Sequence, residues 1–161
     1  MDQSETVVGL LRELGAQSPA GFAIALHISY AAPKYLFQAY PQEWIEYYSA
    51  NGLVLKDPTV RWGFANVGHV RWSELESVDP DGVMAMAREQ GLKYGVTLAL
   101  DESGSRSVAS FARSDREFSE TEIERLSGLL GALHTETALI EGLSPDAHET
   151  LRRMSILLTH S

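Results

Sequence analysis

The sequence predicts an α+β fold, a sandwich with an antiparallel sheet flanked by helices, and three stretches carry that prediction. Residues 21–30, GFAIALHISY, alternate large apolar Phe22, Ile24, Leu26 and Ile28 with smaller or polar residues, the period-two pattern of a half-buried strand. YGVTLALD and RSVASFAR are rich in β-formers and are separated only by Glu102-Ser103-Gly104-Ser105, a polar loop of hairpin length. Ser119 and Glu122 form a capping box ahead of the stripe Ile123, Leu126, Leu129, Leu130, Leu133 and Ile140, which predicts the longest helix. Strands with helices before and after them, joined in part by a hairpin, fit an α+β sandwich.

The remaining elements follow in chain order. Val7, Val8, Leu10, Leu11 and Leu14 stand at helical spacing with Ser4 as a candidate N-cap, so residues 5–14 are expected to be a first helix. Pro19 and its glycine neighbours break it before the strand at 21–30. Residues 31–37, with Pro33, read as a loop or irregular edge. Pro41 can then occupy the N1 position of an aromatic helix that Gly52 closes. Asp57-Pro58 reads as an N-cap followed by an N1 proline, which opens a short helix over 59–65. His69 to Trp72 is too short to classify. Asp79-Pro80-Asp81 offers a start for a helix whose apolar face is Val83, Met84, Met86 and Ala87, ending near Gly91. Ser144 caps a last candidate helix carrying Leu151, Met154, Ile156, Leu157 and Leu158.

Composition narrows the function classes. A chain of 161 residues without repeats or linkers suits one domain, and 44% apolar with 22% charged residues is ordinary for a globular protein. No apolar run approaches the length of a membrane span, and the acidic, amphipathic start lacks the character of a secretory signal. The absence of cysteine agrees with a cytoplasmic location and removes thiolate chemistry. A net charge of −9 argues against this chain gripping nucleic acid, because phosphate binding needs clustered Lys and Arg. No metal is expected, since neither His27 nor His134 has a second ligand at suitable spacing. Ser103-Gly104-Ser105 lacks the strand-turn-helix setting of a nucleophile elbow, so no catalytic residue is assigned and an enzyme is not expected.

What chemistry there is concentrates between Tyr40 and Trp72. Tyr40, Trp44 and Tyr48 recur every four residues and share one helical face, and Asp57 and Trp72 follow. Indole N–H only donates, phenol donates and accepts, and an ionised carboxylate only accepts, so together they can read an amide while the rings bury an attached apolar chain. The same aromatics also describe a plain core face and Asp57 a plain helix cap. Spacing leaves both readings open.

Taken jointly, Tyr40-Pro41, Trp44, Tyr48, Gly52, Asp57-Pro58-Thr59-Val60, Trp72 and residues 91–97 (GLKYGVT) resemble the ligand-binding domain of LuxR-type quorum-sensing regulators, over about residues 5–142. The resemblance implies an α-β-α sandwich that holds an N-acyl homoserine lactone between the sheet and the helices on one face. It implies that Trp44 donates to the lactone carbonyl, Asp57 accepts the amide N–H and Tyr40 reaches the acyl carbonyl. Tyr48 and Trp72 would wall the head group, Thr59 and Val60 would line the pocket, and Ser110 would lie near the acyl carbonyl. Gly95 is expected to serve backbone shape rather than ligand contact. No cofactor is implied beyond the ligand.

Two departures stand out. Ala99 replaces the family's usual proline, and no basic helix-turn-helix domain follows. Residues 1–142 are therefore expected to be the autoinducer-binding domain, and 143–161 a C-terminal helix or the start of an uncompleted DNA-binding segment. Either the chain is a sensor cut from a longer regulator, or the natural protein lacks the effector. The expected partners are the lactone and a second copy or a related regulator. In the latter case the chain would inhibit full-length relatives through mixed dimers, using the stripe of the long helix. A lactone- or amide-processing enzyme is the remaining alternative.

Overall fold

The structure is a computed structural model that describes residues 3–30 and 32–140; the expected terminal helix over 143–161 lies outside them. Five antiparallel strands form one sheet in the order β2-β1-β5-β4-β3, comprising β1 (Gly21–Ser29), β2 (Ala32–Gln38), β3 (Gly68–Arg71), β4 (Tyr94–Glu102) and β5 (Ser105–Arg113). The helices are α1 (Gln3–Gln17), α2 (Gln42–Ala50), α3 (Pro58–Ala65), α4 (Val83–Glu89) and α5 (Glu120–Ile140). Helices α1 and α5 pack together against one face, and α2, α3 and α4 cover the other. This is the expected three-layer α+β arrangement.

Two of the five strands lie where the sequence reading had none or left the matter open. Residues 32–38 are an edge strand, β2, and not a loop. The proline that argued against a strand is tolerated because an edge needs ladder bonds on one side only. Within β2, buried Tyr35 and Phe37 alternate with Leu36 and Gln38 on the opposite face. The stretch before Trp72 forms the other edge strand, β3, and Trp72 opens a 3-10 turn.

Helix boundaries shift by small amounts for identifiable reasons. Ser4 falls inside α1 and not at its cap. Pro41 sits at the N-cap of α2 with an extended ψ of 136°, one position before the expected N1. Asp79 binds the N–H groups of Val83 and Met84 at 2.9 and 3.0 Å and so starts α4 two residues past the expected acidic cluster. The capping box of α5 is reciprocal: Ser119 N–H donates to Glu122 Oε1 at 2.7 Å, and Glu122 N–H donates to Ser119 Oγ at 3.1 Å. Its stripe points inward, with Ile123, Leu126, Leu130 and Leu133 buried in the core.

The hairpin turn is tighter than expected. Glu102 pairs with Ser105, leaving Ser103 (φ 55°) and Gly104 (φ 75°) as a two-residue turn with both φ values positive, the geometry that matches strand twist.

The two sheet faces differ in side-chain size. Phe22, Ile24, Leu26, Phe37, Val96, Leu98 and Phe111 pack on α1 and α5. Register places Ala23, Ala25, Val108, Ser110 and Thr97 on the other face. One bulge modifies this pattern: β1 uses three residues from Ala25 to Ile28 where β5 uses two from Val108 to Arg106, and His27 adopts φ 55°. Leu26 and His27 consequently both face α5, while Ile28 returns to the opposite side.

Candidate functional site

Small side chains on one sheet face and larger ones on α2, α3 and α4 leave a cavity of about 450 Å³. Ala23, Ala25, Val108 and Ser110 form its floor. Two glycines let the walls approach. A Cβ on Gly95 would lie 2.1 Å from Cδ2 of Trp72, so the indole can rest on β4 only because no side chain is there. A Cβ on Gly63 would lie 2.5 Å from Cγ1 of Val108, which brings α3 down onto β5 in the same way.

Asp57 is both cap and wall. Its Oδ1 accepts from Thr59 N–H at 2.9 Å and from Thr59 Oγ1 at 2.7 Å, starting α3. Its Oδ2 accepts from the Tyr48 hydroxyl at 2.8 Å. An ionised carboxylate offers about four lone-pair sites, so one site on Oδ2 stays open toward the cavity. Burial pushes the Asp57 pKa up, the hydrogen bonds from Thr59 and Tyr48 draw it back, and the charge on Asp79 adds to the rise. The Tyr40 and Tyr48 phenols are held protonated by burial and then by the Asp57 charge, which keeps both as donors.

Trp44 lies beside Tyr48 in an edge arrangement, with centroids 5.7 Å apart and planes at 63°. Among the described residues its indole N–H has no acceptor. Trp72 is different. Its Nε1–H donates to Thr97 Oγ1 at 3.0 Å, and Thr97 Oγ1 is 2.7 Å from Ser110 Oγ. The Tyr40 hydroxyl donates to the Ser110 carbonyl oxygen at 3.3 Å.

All the residues singled out from sequence, Tyr40, Trp44, Tyr48, Asp57, Thr59, Val60, Trp72 and Ser110, line this cavity. Several also bond to the protein itself. Tyr48 is more than a wall, because it holds the carboxylate. The hydroxyl of Tyr40 is engaged with the backbone of β5, and Thr59 faces Asp57. Sequence reasoning missed the floor alanines, and it missed Leu36 and Val54, which line the cavity while remaining 39% and 48% exposed at its mouth; Phe64, for which core, pocket and dimer surface were all open from sequence, lines the cavity there too. The floor had a legible signal in the small residues that alternate with Phe22, Ile24 and Leu26. The mouth had none, since it is made by elements distant in sequence.

A second polar cluster lies on the opposite face, between the bulge of β1 and α5. His27 Nδ1 is 2.7 Å from Ser105 Oγ, His27 Nε2 is 2.9 Å from Thr137 Oγ1, and His134 Nδ1 is 2.7 Å from Ser107 Oγ. The Ser107–His134 pair resembles a nucleophile with its base, but Ser107 is fully buried and the sheet separates it from the cavity. Among the described residues no group of three or more His, Cys, Asp or Glu could hold a metal, and no helix is long and apolar enough to cross a membrane.

Comparison with known proteins agrees with the geometry. The family model of the autoinducer binding domain matches residues 7–137. The transcriptional activator PhzR of Pseudomonas fluorescens is 32% identical over 126 residues, covering 75% of this chain and 51% of PhzR. SolR of Ralstonia nicotianae is 28% identical over 123 residues, covering 75% of this chain and 52% of SolR. The chain thus spans about half the length of these curated relatives. A crystal structure of Escherichia coli SdiA superposes with a TM-score of 0.66 at 21% identity, covering 85% of this chain and 63% of that one. The N-acylhomoserine lactone-dependent factor CepR2 of Burkholderia cenocepacia gives 0.61 at 18%, covering 80% and 78%. At these identities the solved structures establish the fold. The match across most of the chain establishes the family: this chain belongs to the autoinducer-binding domains of LuxR-type transcriptional regulators.

Proposed function

We propose that this chain is a cytoplasmic, non-enzymatic sensor that binds an N-acyl homoserine lactone and thereby controls a DNA-binding transcriptional regulator. The observation that carries the reading is the polar end of the cavity. There the buried carboxylate of Asp57 keeps one open acceptor site, the N–H of Trp44 has no acceptor among the described residues, and most of the remaining wall is apolar. An acceptor for an amide N–H, a donor for a carbonyl and an apolar bed for a chain are the features that such a ligand needs. Each buried methylene of the chain contributes about 0.8 kcal/mol, so affinity should climb with chain length until the cavity is filled.

Thermal shift and calorimetry against lactones with acyl chains from short to long test the reading, since a ligand that binds only the folded state raises the melting temperature. Asp57→Asn should keep the fold and weaken binding by about 10- to 100-fold, because an amide in that position presents a competing donor and loses the charge-assisted bond. Unchanged affinity in a folded Asp57→Asn protein would overturn the head-group assignment. A solved structure shows SdiA in complex with octanoyl-rac-glycerol, so that compound belongs in the same panel. A shift with it and none with any lactone would replace the ligand class. An inhibitor that forms mixed dimers remains the alternative, and it would need a surface other than Leu126, Leu130 and Leu133, which are packed inside this chain's own core.

A further inference from the structure

We infer that Thr97, which does not line the cavity, is a positioning residue that makes Ser110 a hydrogen-bond donor toward the cavity. The argument is a count of protons. The Trp72 indole can only donate, so its bond to Thr97 Oγ1 occupies one of the lone pairs of that hydroxyl. The Thr97 hydroxyl proton then needs an acceptor of its own, because Thr97 is fully buried. The hydrogen bonds of this side chain are to the Trp72 indole and to Ser110 Oγ at 2.7 Å, and the indole accepts nothing. Thr97 therefore donates to Ser110. The reverse direction would strand a buried hydroxyl proton, whereas Ser110 can send its own proton into the cavity that it lines.

The chain Trp72 → Thr97 → Ser110 thus has one direction, and it ends in a donor. Tyr40 adds to its rigidity by donating to the Ser110 carbonyl oxygen, which fixes the backbone beneath the hydroxyl. Gly95 lets the Trp72 ring lie against β4 at the start of the chain. The polar groups on the cavity wall accordingly include an acceptor on Asp57 and donors on Trp44 and Ser110. That arrangement selects a ligand with an N–H between two carbonyl oxygens. This inference rests on the lactone reading and deepens it by assigning a residue that acts on the ligand only through another.

A double-mutant cycle with N-octanoyl homoserine lactone, read by calorimetry, separates the possibilities. Thr97→Val should weaken binding by about five- to tenfold, the scale of one hydrogen bond, and Thr97→Ser should restore it to within about twofold. In a Ser110→Ala background Thr97→Val should change affinity by less than about twofold, because the residue through which it acts has gone. An equal loss in both backgrounds would assign Thr97 to holding Trp72 alone and overturn the inference, as would a failure of Thr97→Ser to restore binding. If Thr97→Val does not melt cooperatively, Thr97→Cys, which keeps a weak donor, serves in the same cycle with the same criteria. Absence of binding by the unmodified protein to this lactone and to shorter and longer ones would overturn the ligand reading, and the donor assignment with it.

Discussion

The two faces of the sheet are made by the same strands and do opposite things. Toward α1 and α5 strands β1, β2, β4 and β5 present large side chains, which pack into a core around Phe22, Phe37 and Phe111. Toward α2, α3 and α4 the centre of the sheet presents mostly small side chains, with Ala23, Ala25, Gly95, Thr97 and Ser110 beside Val108, and the layer stays open as a cavity. Because successive strand residues point to opposite sides, one sequence can specify a solid face and a hollow one by alternating size as well as polarity. The hollow face sacrifices packing that the solid face retains. Stability should therefore reside on one side and recognition on the other.

Three measurements can break or sharpen that division. The largest effect is expected on the solid face: Phe111→Ala should cost about 3–5 kcal/mol in chemical denaturation, since it empties a fully packed site. A cost well below that would mean the solid face is not where stability resides. On the hollow face, Ala25→Leu should change stability by less than about 1 kcal/mol, because the added methylenes enter existing space and are not forced into a filled core. The same substitution should abolish the ligand-induced rise in melting temperature. Loss of folding with it would show that the cavity is not open at Ala25.

The smallest effect concerns acid. Burial raises the Asp57 pKa in the empty protein, so its ionised form is disfavoured in the folded state. The sign for stability follows: this group costs nothing against folding below the ordinary carboxylate range, its penalty grows as pH rises from the ordinary value toward the raised one, and it is constant above the raised value. For binding the sign is opposite. A ligand N–H needs the ionised carboxylate, so affinity should be full above the raised pKa and fall as pH drops through it. Titration of the ligand-induced thermal shift should place that fall above the ordinary carboxylate range, and Asp57→Asn should remove it. A fall unchanged by Asp57→Asn would locate the titrating group elsewhere.

Some of this division was legible in the residues. The large-small alternation over 21–30 and the hairpin over 94–113 specified the central strands, and the capping box specified α5. The aromatic spacing and Asp57-Pro58 led to one wall of the cavity. Less legible were features that depend on neighbours distant in sequence. Edge strand β2 was hidden by Pro33, which is acceptable because, among the described residues, β2 is the last strand on its side of the sheet. The partnership of Thr97 with Ser110 and Trp72 arises from register between β4 and β5 and from a turn that lays an indole over a glycine. The bulge at His27 leaves no composition signal, since the hydroxyls that His27 bonds there, on Ser105, Ser107 and Thr137, come from elements distant in sequence.

The double engagement of Asp57 has a mechanical consequence. One oxygen of this carboxylate nucleates α3 through the N–H of Thr59, and the other is shared with Tyr48 of α2 and faces the cavity. Any guest that bonds to the second oxygen pulls on a rigid two-armed lever whose other arm is the first turn of a helix. Occupancy would then be registered as a tightening of the joint between α2 and α3, most directly as slower exchange of the Thr59 amide proton, before any larger movement of the domain.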